Sequence, residues 1–154
     1  MATAQRSTQV DLPVRTVYNQ WTQFEDFPKF MEGVEEVRQL DDTRIYWVAN
    51  IAGQRREWEA KITDQQPDSL IAWYGFGGEN NEGVVSFEPL GPDRTRVSVR
   101  LEFDPEDLLE KAGDMLGIVQ RRVQGDLERF KEFIESRGRE TGAWRGEIEE
   151  GERR

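Results

Sequence analysis

The spacing of apolar residues changes once along this chain, and that change limits what it can fold into. Between Val34 and Phe103 apolar side chains recur at every second position; after Asp104-Pro105 they recur at every third or fourth. A period of two marks a strand with one face buried, and a period near 3.6 marks an amphipathic helix. Ile45, Trp47, Ala49 and Ile51 make one such strand. Trp58, Ala60 and Ile62 alternate with Glu57, Glu59 and Lys61 in the next, and Thr95, Val97, Val99, Leu101 and Phe103 make the last. Turn signals such as Asp41-Asp42, Gly53, Pro67-Asp68 and Gly91-Pro92-Asp93 separate the runs, and no helical pattern interleaves. The segment is therefore an antiparallel meander and not a parallel, doubly wound sheet.

Helical signals flank the meander. Thr8-Gln9-Val10 ends a first strand, and Asp11-Leu12-Pro13 opens a helix, with Asp11 as its expected cap and Pro13 at its start. Val14, Val17, Tyr18, Trp21 and Phe24 give that helix one apolar face. Asp26-Phe27-Pro28 interrupts it, and a second short helix is expected at Lys29-Phe30-Met31. At the other end, Leu109, Ala112, Leu116, Val119, Val123, Leu127, Phe130 and Ile134 form one stripe whose apolar side must lie on the sheet. Gly113 and Gly117 are expected to mark a kink, and Gly125 to allow close packing. The segment 138–154 is rich in Gly, Arg and Glu and is expected to be a disordered charged tail, leaving 1–137 as the single folded domain. Its Trp144 is either a docking residue or incidental.

Composition removes whole classes of function. The chain has no Cys and no His among its 154 residues. Without them there is no disulfide, no thiolate nucleophile, no Ser-His or Cys-His pair and no His-based zinc site. Acid–base chemistry would fall to Asp, Glu, Tyr, Lys or Arg. The net charge of −10 repels phosphate backbones and anionic membrane surfaces, so nucleic acid is not an expected partner. No apolar run reaches the ~20 residues of a membrane helix. Neither stable membrane insertion nor a signal peptide is expected, and a cytoplasmic location is.

The order of elements and several segments resemble a known family. They are Asp11-Leu12-Pro13-Val14 with Val17-Tyr18 and Trp21; Phe27-Pro28-Lys29-Phe30-Met31-Glu32-Gly33-Val34; Trp58-Glu59-Ala60-Lys61-Ile62; Ile71-Ala72-Trp73; Gly83-Val84-Val85-Ser86-Phe87; Thr95-Arg96-Val97-Ser98-Val99; and Leu127 to Glu135. Together, over residues 3–137, they resemble the polyketide cyclase/dehydrase and lipid-transport superfamily with its START-like, Bet v 1-like helix-grip fold. The likeness is strongest to its small bacterial cyclase/dehydrase branch, which includes coenzyme Q-binding relatives. The resemblance implies an α+β fold: a bent seven-stranded antiparallel sheet, two short helices after the first strand, and a long C-terminal helix over an apolar cavity. No catalytic motif runs through the superfamily, so it carries no catalytic residue, metal ligand or cofactor onto this chain.

Candidate site residues follow from which strand faces look toward the long helix. Trp47, Trp58, Trp73 and Phe87 either line a cavity or fill a solid core, and lining is expected for at least two of them. Leu109, Ala112, Met115, Leu116 and Val119 are the facing candidates on the helix. Phe27, Phe30 and Met31 form a lid or staple the short helices. The loop from Gly75 to Gly83 gates the cavity or simply ends a hairpin. Arg55, Arg56, Glu57 and Glu59 make a polar cluster that either promotes aldol-type chemistry or is a solvated face, alternation turning Glu57 and Glu59 away from Trp58 toward water; Tyr46, Tyr74 and Asn50 are further polar anchors. Asp104-Pro105-Glu106-Asp107 holds a divalent cation or merely opens the helix.

Three functions remain. The first is non-catalytic binding or carriage of a small hydrophobic molecule: a polyketide, isoprenoid quinone or lipid. The second is an aromatase/cyclase or dehydratase acting on a polyketide, and the third an interaction module with a vestigial pocket. A carboxylate, Tyr or Arg in the cavity wall separates the second from the first.

Overall fold

Period-two alternation becomes the strands of one antiparallel sheet in the computed structural model, which describes residues 2–51, 53–76, 81–103 and 115–153. The long strands are β1 (Ala2–Val10), β2 (Val34–Gln39), β3 (Arg44–Ile51), β4 (Gln54–Gln66), β5 (Leu70–Phe76), β6 (Asn81–Gly91) and β7 (Arg94–Phe103). Their order in space is β1-β7-β6-β5-β4-β3-β2. The meander accounts for β2 to β7. The return of β1 to β7, in unbroken register from Ala2↔Phe103 to Val10↔Thr95, closes the remaining edge of β7. Register shifts between Val34 and Glu36, between Ile62 and Asp64, and between Pro89 and Gly91 mark bulges, and bulges bend the strands that carry them.

Helices α1 (Val14–Trp21) and α2 (Met115–Arg137), with a 3-10 helix at Phe24–Lys29, cover one face of that sheet. No described helix is long and apolar enough to cross a membrane. The stripe of α2 packs as its spacing requires: Val119, Leu127, Phe130 and Ile134 are buried, and Val123 is partly so. Gly138, at φ +74°, ends the helix, its N–H donating to Ile134 O at 2.9 Å.

Where α2 meets the short helices, aromatic rings interlock. Trp21 sits 4.7 Å from Phe130, Phe30 lies 5.3 Å from Phe130, and Tyr18 lies 5.3 Å from Phe87, each near edge-to-face. Such pairs add about 0.5–1.5 kcal/mol each beyond the area they bury. This end of the molecule is solid.

Four local expectations need correction. Asp11 does not cap α1, whose first turn has no side-chain cap; its N–H donates instead to the Glu135 carboxylate of α2 at 2.8 Å. The second short helix lies earlier than expected, and the Asp26-Phe27-Pro28 segment, read as an interruption, is its middle. Pro28 is tolerated because the helix is a short 3-10 turn and not a continuing α-helix. Gly125 does not serve close packing of α2 on the sheet: a Cβ there would meet Arg129 of the same helix, at 3.0 Å from Nη1. The stretch 104–114, with Gly113 and the Asp104–Asp107 cluster, lies outside the described residues.

The fourth correction concerns the tail. Residues 138–153 are laid along the body and add two short strands, β8 (Ile148–Glu149) and β9 (Glu152–Arg153), raising the strand count from seven to nine. Ile148 pairs with Gln65 of β4 and is 1% exposed. Arg145 donates to Asn19 at 2.6 Å and to Asp68 at 2.8 Å while lying over the Tyr18 ring. Thr141 N–H donates to Gln20 Oε1 at 2.9 Å, its hydroxyl to Asp26 at 2.5 Å, and Trp144 N–H to the Thr22 hydroxyl at 3.1 Å. A charged composition does not prevent order when each polar group finds a fixed partner and two apolar residues, Trp144 and Ile148, reach the core.

Two predictions follow from this strap. Ile148→Ala lowers unfolding free energy by about 2–4 kcal/mol in urea titrations, the usual cost of emptying a buried Ile site. A disordered tail would show no change. Beneath the strap, burial pushes the Tyr18 hydroxyl up to about 12, against the lowering effect of the Gln65 hydrogen bond. The unfolded chain loses that proton near pH 10, before the folded one does. Stability is therefore unaffected by this group below pH 10 and falls between pH 10 and 12, by about 1 kcal/mol per unit. Tyr18→Phe flattens that part of the stability–pH curve.

Candidate functional site

The interlocked packing does not extend to the other end of α2. There the first turns of the helix and the bent inner face of the sheet enclose a cavity of about 240 Å³. Its wall comes from the 3-10 helix and the turn after it (Phe24, Phe27, Met31), from β3 to β5 (Trp47, Trp58, Trp73) and from β7 (Val99, Leu101, Phe103). The helix closes it with Ile118, Val119, Val123 and Leu127. Leu127 is the last α2 residue on the wall; Phe130, one turn on, is already core.

The sheet side is shaped by indoles. Trp47 and Trp58 face each other across β3 and β4 and stack with centroids 5.8 Å apart and planes 4° apart. Phe27 approaches Trp47 at 5.5 Å. Trp73 pairs with Gly83 across β5 and β6, and its ring occupies the space a Cβ at Gly83 would need. Only a glycine lets the indole lie flat over the neighbouring strand. Its Nε1 donates to Asn81 Oδ1 at 3.3 Å. The Trp47 Nε1 is buried without a hydrogen-bond partner among the described residues.

Of the sequence candidates, the structure thus places Trp47, Trp58, Trp73 and Val119 together on the wall. Phe87 is not on it. The alternation turned Phe87 inward correctly, but its stretch of β6 lies under α1, where its ring packs on Tyr18 and Trp21 and is 5% exposed. Leu109 and Ala112 lie outside the described residues, as do the side chains of Met115 and Leu116. So do residues 77–80 of the expected gating loop. Phe27 and Met31 reach the cavity, whereas Phe30 is core against Phe130 and Phe133.

Three polar residues join the wall: Asn81, which belongs to the loop named as a candidate gate, and Arg122 and Asp126, neither of which was a site candidate from the sequence. Arg122 and Asp126 are one helical turn apart on α2, a spacing that puts both beside the apolar stripe. Asp126 accepts from Arg129 Nη2 at 2.5 Å and from the Glu32 N–H at 3.0 Å. Burial pushes its carboxyl above the ordinary Asp value, outweighing those bonds. The Arg55–Glu57–Glu59 cluster lies elsewhere: Glu57 accepts from Tyr46 and Arg55, and Arg55 reaches Glu35, all on the outer, solvated face. Asn50 contributes through its backbone carbonyl, which accepts from Arg122.

Comparison with known proteins agrees with this architecture. The family model for polyketide cyclase / dehydrase and lipid transport matches residues 10–132. An uncharacterized 17.2 kDa protein of the melC2-rnhH intergenic region in Streptomyces lincolnensis is 50% identical over 149 residues, covering 96% of this chain and 99% of that one. Among solved structures, a Deinococcus radiodurans protein superposes with a TM-score of 0.68 at 27% identity, over 89% of this chain and 99% of its own. The Zhui aromatase/cyclase from Streptomyces sp. R1128 superposes with a TM-score of 0.75 at 18% identity, over 93% and 99%. At that identity the last likeness concerns the fold alone.

Ala60 is 2% exposed and forms part of the cavity wall. Ala60→Leu adds volume where there is space to receive it, so unfolding free energy in urea stays level or rises. The same change in a close-packed core would cost about 1–3 kcal/mol.

Proposed function

Because the chain belongs to the polyketide cyclase / dehydrase and lipid-transport family, we propose that its cavity binds a small, ring-bearing hydrophobic molecule. The observation that carries this reading is the wall itself, apolar nearly throughout and faced by four indoles, those of Trp21, Trp47, Trp58 and Trp73. Ligand pockets have this character, mostly apolar with a few polar groups that set orientation. A volume of about 240 Å³ exceeds the ~150 Å³ that suffices for benzene and falls below the ~300–1,000 Å³ of larger ligand sites. That favours a molecule of two or three fused rings, such as an aromatic polyketide or a quinone head, over a two-chain lipid.

A second reading, cyclase or dehydratase chemistry, is favoured by Asp126, a buried carboxyl in the wall with its proton affinity raised. Such a group suits general acid–base work. Binding stands first because Asp126 is already held by Arg129 and the Glu32 N–H. A carboxylate fixed by a guanidinium is a poor proton carrier until that pair opens.

The neutral fluorescent probe N-phenyl-1-naphthylamine tests the binding reading. It binds the wild type with enhanced emission, and Trp58→Ala and Trp73→Ala each weaken it about three- to tenfold, the usual value of an aromatic contact. Unchanged affinity in folded variants removes those rings from the site. Native mass spectrometry of the purified chain provides an independent check through a co-purifying apolar compound.

A further inference from the structure

The mouth of the cavity is built around one cation. Arg122 lies on the wall, and its Nε and Nη2 donate to Glu32 O at 3.2 and 2.6 Å. Nη2 also donates to Asn50 O at 3.0 Å. Glu32 and Asn50 are both exposed, so the guanidinium spans from α2 to the turn before β2 and to the end of β3, at the boundary between cavity and solvent. Gly33 makes this approach possible. It has φ +80°, and a Cβ there would overlap Arg122 Nη2 and fall 2.6 Å from Asn50 O. The Asn50 N–H in turn donates to Gly33 O at 2.6 Å, tying the two loops to each other.

Three elements thus converge on Arg122, yet they offer it only carbonyl oxygens. Among the described residues no carboxylate lies within ion-pair distance of it. Asp126, the nearest by sequence, is engaged by Arg129, which also reaches Glu32. None of the hydrogen bonds of the described residues uses Arg122 Nη1. A guanidinium has five N–H donors in a rigid fork, so one edge is held by the protein while donors remain at the rim of a mostly apolar hole.

We propose that Arg122 selects the head of the ligand: the bound molecule is an apolar ring system with a neutral carbonyl oxygen at its outer end, accepting from this guanidinium. The inference rests on the cavity reading above. Two observations favour a neutral acceptor over a carboxylate. Asp126 already places a carboxylate on the same wall, one helical turn from Arg122, and the chain as a whole carries −10, so a further anion at the mouth meets a repulsive field.

A matched pair of probes tests this. 2-Acetylnaphthalene and 2-isopropenylnaphthalene have the same shape, one with C=O where the other has C=CH₂. Their affinities are measured by displacing N-phenyl-1-naphthylamine. The readout is the ketone-to-alkene affinity ratio, which cancels general effects on stability or cavity size. Arg122→Met lowers that ratio about fivefold or more, the scale of one hydrogen bond from a charged donor, and leaves alkene affinity nearly unchanged. Arg122→Lys, which keeps the charge but cannot bridge both carbonyls, lowers it less and serves if the Met variant does not fold. An unchanged ratio in either folded variant overturns the proposal and leaves the cavity reading standing. Displacement by neither probe overturns both. Tighter binding of 2-naphthoate than of the ketone overturns the assignment of a neutral head.

Discussion

A straight helix and a bent sheet can be in contact along only part of their length. Here the contact is made at the C-terminal half of α2, where Phe130 and Ile134 meet Trp21, Phe30 and the inner strands at packing distance. Toward its N-terminal half the sheet curves away, and Val119, Val123 and Leu127 look across a void at Trp47, Trp58 and Trp73. Aromatic rings do different work at the two ends. Edge-to-face pairs consolidate the first, whereas in the second the rings stack along the wall and leave the centre open. Everything functional that the chain can do depends on that mismatch in curvature.

The polar inventory sharpens this picture. With no His and no Cys, the side chains available to an enclosed site are few. Those that the fold delivers are already engaged: Asp126 by Arg129 and a backbone N–H, Asn81 by Trp73, Arg122 by two carbonyls. Groups fixed in this way orient a guest well and exchange protons badly. The same residues that line the hole also brace its rim, so recognition and the integrity of the opening share one set of hydrogen bonds.

Most of the architecture was legible in the sequence because period and turn chemistry are local. The six strands of the meander, both flanking helical regions and the inward set Trp47, Trp58 and Trp73 follow from spacing alone. What was not legible depends on distant partners. Phe87 obeys the same alternation as Trp73, and only the position of α1 over β6 decides that one is core and the other wall. Arg122 and Asp126 stand beside the apolar stripe of α2 and not on it, and it takes the curvature of the sheet to bring them to the cavity. The tail was misread for a related reason. Asn19 and Gln20 on α1 and Thr22 at its end are buried polar residues, and the segment that bonds them lies over a hundred residues later. The one available signal was Trp144 and Ile148, apolar residues in a stretch that composition alone would leave unstructured.

The strap that covers α1 also bears on how the chain reaches its native state. Helix α1 is synthesised more than a hundred residues before the groups that complete its polar side, Glu140, Thr141, Trp144 and Arg145, and β1 waits for β7. Contacts of such long sequence separation place this domain among slowly folding topologies, because loop-closure entropy must be spent before the pairing is rewarded. Until residues 140–148 emerge from the ribosome, the aromatic surface of the N-terminal helices has no finished cover, and a nascent chain stalled short of residue 148 would present it to chaperones or to aggregation.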